Sequence, residues 1–116
     1  MILSCLTFEL RPGSLAALEE VFKRHRIFER AIQTEGCQSL YLAGDVANEG
    51  LAHVIGVWDD EAAYQRWLDQ PGREDGVDEL HAVVADTWDP HAPGKVWRVV
   101  HTALRTMQPT AAAAAG

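Results

Sequence analysis

The chain has 116 residues, ten of them Lys or Arg and seventeen Asp or Glu, for a formal charge of −7. That length allows one domain, which buries roughly 60–65% of its unfolded surface. The acidic balance, with no basic run longer than Lys23-Arg24-His25-Arg26, sets the protein against phosphate and argues against nucleic acid as a partner.

Hydrophobic residues at 47% and charged residues at 23% are the mix of a folded globular body. No apolar stretch approaches the ~20 residues of a membrane span. The first ten residues lack a basic n-region and run into Arg11-Pro12-Gly13, so a signal peptide is not expected. Cys5 and Cys37 have no CxxC spacing, which predicts neither a zinc site nor a disulfide scaffold and suits a reducing cytoplasm.

Residues 2 to 10 alternate with the period of a strand: Ile2, Leu6, Phe8 and Leu10 face one way, Leu3, Cys5, Thr7 and Glu9 the other. Pro12-Gly13 ends it, and Ser14 is placed to cap a helix from Leu15 to about Glu35. The apolar stripe of that helix is Leu15, Leu18, Val21, Phe22 and Ile32, with Lys23, Arg26 and Ile27 off it, and Gly36 closes it in a left-handed conformation. A second strand from Cys37 to Asp45, the turn Asn48-Glu49-Gly50 and a third strand from Leu51 to Trp58 read as a hairpin. Asp59 or Asp60 caps a short helix through Gln70, stopped by Pro71-Gly72. A further helical pattern spans Glu74 to Asp86, and residues 95 to 104 read as a last long strand rich in β-branched side chains. The Ala-rich tail, 107–116, is expected to fray, leaving residues 1–106 as the single domain.

This order, β-α-β-β-α-β, predicts an α+β, ferredoxin-like fold: an antiparallel sheet with helices on one face. The bare face then needs a cover. A second copy of the chain is the simplest one, and a homodimer is expected.

Residues 55–72 concentrate two tryptophans and a tyrosine around three acids, in a chain with only 8% aromatics. Strand parity places Val54, Gly56 and Trp58 on one face and His53, Ile55 and Val57 on the other. Gly56 leaves room beside Trp58, so that indole reads equally as a pocket wall or as core. Tyr64, Trp67 and Leu68 share the inward stripe of the following helix. His25 falls on the apolar stripe of the first helix with Glu29 one turn on. That pairing orients an imidazole as a general base, and it is also an ordinary helix-surface hydrogen bond. His81 lies on the stripe Val77, Leu80, Val84 and Trp88, facing the same hollow or packed as core. His53 is expected to face the partner copy and His91 the solvent. Five dispersed histidines and two distant cysteines lack metal-ligand spacing.

The stretches "FELRPGSLAALEEVF", "EGCQSLYL" and "VIGVWDDEAAYQRWL" resemble the antibiotic biosynthesis monooxygenase domains of the dimeric α+β barrel superfamily, over most of residues 6 to 70. The resemblance implies a dimer whose sheets form a barrel, with a cavity in each subunit between its own sheet and helices. It also implies a range of activities: cofactor-free oxygenases acting on aromatic polyketides, quinol oxygenases, haem-degrading enzymes, and members with no established reaction. Trp58 matches the strand-ending Trp of the oxygenase branches, and Tyr64 a helix tyrosine of the polyketide oxygenases. Where those oxygenases place an asparagine four residues before the Trp, this chain has Val54. Where haem-degrading members place one on the first strand it has Leu6, and His81 lies several residues beyond their helical histidine.

The expected function is a cytoplasmic, bacterial monooxygenase of secondary metabolism that oxidises a small aromatic, phenolic or quinol metabolite with O₂ and without cofactor or metal. His25 oriented by Glu29, with Tyr64 and His81, would carry the chemistry. Phe22, Trp58 and Trp67 would hold the ring. A haem-binding or haem-degrading monooxygenase and a non-catalytic metabolite-binding dimer are the alternatives. The catalytic reading requires His25 and Trp58 to look into one hollow.

Overall fold

The central element is the strand read from residues 2–10. In the computed structural model, which describes residues 1–73, 75–89 and 94–105, β1 (Ile2–Glu9) pairs antiparallel with β3 (Leu51–Trp58) along its full length, Ile2 opposite Trp58 and Glu9 opposite Leu51. β2 (Cys37–Gly44) flanks β3, with a bulge between Cys37 and Ser39. β4 (Lys95–Arg98) flanks β1 on its other side. The order β2-β3-β1-β4 is that of the ferredoxin-like fold.

The β2–β3 turn is built from its own side chains. Asp45 Oδ1 accepts from the backbone N–H groups of Ala47 (2.8 Å) and Asn48 (3.0 Å), and Asn48 Oδ1 accepts from Gly50 N (2.9 Å). The bonds from Ala47 and Asn48, with a contact to His53, hold the Asp45 carboxyl below its ordinary value.

Four helices supply the opposing layer: α1 (Leu15–Arg24), α2 (Ile27–Ala31), α3 (Glu61–Leu68) and α4 (Val77–Leu80). The core they close against the sheet has two parts. Phe8, Leu10, Leu18, Val21, Phe22, Ala52, Leu80, Val83 and Val84 form one; Ile2, Trp58 and Ala63, with Tyr64 and Trp67 packed against them, form the other. On the opposite face of the sheet the register aligns Leu3, Cys5, Ile55 and Val57 with Tyr41 and Trp97, whose side chains are 54% and 49% exposed.

The single long helix expected over 15–35 is two. α1 ends at His25, and Arg26 takes a left-handed conformation (φ 51°, ψ 43°) before α2 begins. Arg30 Nε donates to the orphan carbonyl of His25 (3.1 Å), so a side chain from α2 caps the end of α1. The break turns the helix axis, burying Ile27 partly against the core and leaving Ile32 45% exposed, the reverse of the expected stripe. Leu15 is likewise 41% exposed. Ser14 occupies the N-cap position without a side-chain bond, whereas Asp60 Oδ1 caps α3 by accepting from Ala63 N (2.9 Å).

The helix expected over 74–86 shrinks to the single turn of α4, because the chain beyond it joins the sheet's edge. Leu10 and Val84 form a bridge, Ala85 N donates to Glu9 O (2.8 Å) and Arg11 N to Val83 O (3.0 Å). β4 also stops short of residue 104. Its register with β1 runs out at Ile2 opposite Arg98, with Val99 N donating to Met1 O as the last link, and Val100 and Leu104 are almost fully exposed. Glu74, His91 and the tail 107–116 lie outside the described residues.

Gly36 joins the helical layer to β2 at φ +90°, where an added Cβ would lie 2.6 Å from the Cβ of buried Ala63. Gly36→Ala combines a left-handed penalty with a clash against α3 and is expected to destabilise by about 2 kcal/mol or more, read from the urea midpoint.

Candidate active site

The β1–β3 register sets the floor of a hollow between sheet and helices. Leu6 and Phe8 of β1 and Val54 of β3 point into it. Phe22 of α1, Ile27 of α2, and Val77 and Leu80 of α4 lie over them. Trp67 of α3, Trp88, Arg73 and His81 complete the lining of a cavity of about 260 Å³. Its aromatic walls brace one another: Phe8 meets Trp88 with centroids 5.1 Å apart and Phe22 edge-on at 6.1 Å, and Phe22 meets Phe28 edge-on at 5.4 Å. His81, the C-cap of α4, stands exposed at the rim with its ring edge-on to Trp88 at 5.8 Å. Arg73 and His81 are the only ionisable side chains that line the cavity among the described residues, and the Arg73 guanidinium has no hydrogen-bond or ion-pair partner among them.

Three of the residues singled out from the sequence therefore meet at this cavity: Phe22, Trp67 and His81. Trp58 does not. Its ring is 1% exposed in the second core cluster, and Nε1 donates to Ser4 Oγ at 3.0 Å across the sheet. The room expected beside Gly56 is filled by that same pair, since a Cβ on Gly56 would lie 2.5 Å from Trp58 Nε1 and 2.8 Å from Ser4 Oγ. Tyr64 packs against Trp58 with centroids 5.3 Å apart. Burial raises its phenol above the ordinary value, with the positive charge of Arg73 pulling the other way.

His25 also stands apart from the cavity. The helix ends at this residue, so its ring does not continue the stripe and does not pair with Glu29, which is exposed on α2. Instead Nε2 meets Glu79 Oε2 of α4 at 2.9 Å, and the same oxygen accepts from Arg24 Nη1 at 2.6 Å. The imidazole lies over Gly76, where a Cβ would come within 2.8 Å of it. Arg30 Nη1 donates to Gly72 O (2.7 Å), adding a second tie between α2 and the segment that leads into α4. His25 thus anchors the turn of helix that presents Leu80 and His81 to the cavity. Its expected partnership with Trp58 across one hollow is not what the geometry gives.

His53 lies on the sheet face away from the helices as expected, its Nδ1 2.9 Å from Thr7 Oγ1 and its Nε2 3.3 Å from Asp45 Oδ2. Among the described residues no three His, Cys, Asp or Glu side chains converge as metal ligands, and no helix is long and apolar enough to cross a membrane.

The fold and the hollow define a class: a ferredoxin-like domain with a small apolar cavity between its helices and its sheet. Within that class, residues 1–79 match the family model for antibiotic biosynthesis monooxygenases, and the chain belongs to that family. Among solved structures it is similar to SnoaB, a cofactor-independent oxygenase from Streptomyces nogalater. The two are 24% identical with a TM-score of 0.64, over 87% of this chain and 94% of that one. A Pseudomonas aeruginosa protein is 20% identical with a TM-score of 0.60, over 88% of this chain and 94% of its own. A conserved protein from Methanosarcina mazei is 14% identical with a TM-score of 0.66, over 84% and 90%. At these identities the likeness is one of fold. No curated protein matches the chain.

Hydrogen bonds from His25 and Arg24 hold the Glu79 carboxyl below its ordinary value of 4.5. A depressed folded-state carboxylate stabilises above its unfolded pKa, and that contribution is lost as pH falls through the folded value. Glu79→Gln is therefore expected to weaken the protein near neutrality and to flatten the loss of stability below about pH 4.5 that the native chain shows, followed by thermal unfolding across pH 3–7.

Proposed function

We propose that the protein is a cofactor-independent monooxygenase acting on a small aromatic phenol or quinol in the cavity between sheet and helices. The observation that carries this reading is an aromatic-walled hollow of about 260 Å³ whose ionisable lining, among the described residues, is one imidazole and one guanidinium. A flat ring is held by Phe22, Trp67, Phe8 and Trp88. The His81 imidazole at the rim takes the phenolic proton, and the positive charge of Arg73 favours the resulting anion.

For a naphthol the electrons balance without an added reductant. The naphtholate passes one electron to O₂, the radical and superoxide combine to form a C–O bond at the para carbon, and that carbon loses its proton as the O–O bond breaks. The products are the naphthoquinone and one water, both hydrogens coming from the substrate and the proton of His81 being returned to the leaving oxygen. Tyr64, kept protonated by burial, is available as a hydrogen-bond donor near Arg73. His25 acts through Glu79 as a positioning residue. A porphyrin exceeds this cavity, which favours the phenol reading over haem.

Oxygen uptake and quinone formation with naphthol, anthrone and quinol substrates test the proposal. His81→Ala should lower kcat about a hundredfold or more, and Trp67→Ala should chiefly raise KM. Absence of O₂ consumption with every substrate would leave a metabolite-binding domain.

We propose also that two copies pair through the sheet face carrying Leu3, Ile55, Val57, Tyr41 and Trp97, an apolar surface that water would otherwise wet. Light scattering should give twice the 12.8 kDa chain mass, and Ile55→Lys, in the middle of that face, should return it to the monomer.

A further inference from the structure

We propose that the cavity selects an aromatic acid: a substrate of one or two rings whose carboxylate is gripped by the Arg73 guanidinium while the rings fill the apolar interior. The proposal deepens the reading of this cavity as the reaction site and rests on it. Its starting point is a charge without a counter-charge. Arg73 is half-buried, lines a hollow whose other walls are apolar apart from His81, and its side chain has no ion-pair or hydrogen-bond partner among the described residues.

Two acids of the described residues that follow Arg73 in the chain face other cations. Asp75 Oδ2 lies 3.9 Å from Arg30 Nη1, and Glu79 Oε2 serves both Arg24 and His25. Among the described residues no carboxylate lines the cavity. A half-buried guanidinium beside aromatic rings gains from meeting an anion, and its planar fork pairs best with two coplanar oxygens. A neutral phenol alone would leave that fork unmatched. The chain as a whole carries −7, so the preference for an anion is local to this lining and not a property of the overall field.

Size sets the other limit. At about 260 Å³ the hollow lies at the bottom of the range of about 300–1,000 Å³ common to ligand sites, which suits one or two fused rings and excludes a tetracyclic system. With the carboxylate at Arg73, a hydroxyl elsewhere on the same ring system is left to face His81 at the rim.

Binding of 1-hydroxy-2-naphthoate and of 1-naphthol, each followed by quenching of tryptophan fluorescence under nitrogen, tests the assignment without turnover. The naphthoate should bind about ten- to a hundredfold more tightly, the range of a charge-assisted hydrogen-bond pair, and the margin should narrow as salt is raised. Arg73→Gln should abolish the margin, so that the variant binds naphthoate no more tightly than it binds naphthol. Arg73→Lys, which keeps the charge without the fork, should retain part of the margin. Equal affinity for the two ligands in the native protein, or an Arg73→Gln variant that either keeps the margin or loses both ligands together, would overturn the proposal. A protein that shows the margin but consumes no oxygen would refute the monooxygenase reading and leave the ligand class standing.

Discussion

The structure depends on the eight-residue register of β1 against β3. It fixes which side chains share the inner face, and so it decides at one stroke that Leu6, Phe8 and Val54 floor a hollow and that Ile2, Gly56 and Trp58 lie beside a solid block. A slip of one residue would turn all of them outward. The hydrogen bond from Trp58 to Ser4 pins this register from within, because the indole spans from β3 to β1 in the only space that Gly56 leaves open. The self-bonded turn at Asp45 pins it from the end.

Where local pattern and tertiary demand agree, the sequence is a reliable guide. The third strand has the bounds that alternation and the Asn48–Gly50 turn predict, Asp60 is the cap of α3, and Gly36 is left-handed. Where they conflict, the tertiary contact wins. Residues 15–35 look like one helix because Arg26 has no local reason to take a positive φ. The reasons are the reach of His25 to Glu79 and of Arg30 back to the His25 carbonyl, contacts with residues far along the chain or across the break itself. Residues 74–86 look helical because Val77, Leu80, Val84 and Trp88 keep a helical spacing, yet the adjacent Val83 and Val84 are both buried, which a bridge to Leu10 permits.

The site inherits the same division. Phe22 and Trp67 are legible because each sits on a periodic stripe that faces inward, whereas His81 reaches the lining from the exposed end of α4. The placement of His25 is not legible, since its direction depends on a helix ending at that residue. Arg73 carried no signal at all. It follows the Pro71-Gly72 stop in an irregular stretch, where periodicity says nothing about direction, and only the geometry reveals a guanidinium without a partner among the described residues. The ties from Arg24, His25 and Arg30 to residues 72–79 explain how so short a helix as α4 can hold part of a cavity wall in place.

The partition of the interior into a filled half around Trp58 and a hollow half around Phe8 and Phe22 has an evolutionary consequence. Strand alignment is guarded by the filled half, so the lining of the hollow half can drift in size and polarity without unpicking the sheet. A lineage built on this plan can reshape its hollow by changing a few wall residues, while its overall shape persists long after its sequences have ceased to resemble one another.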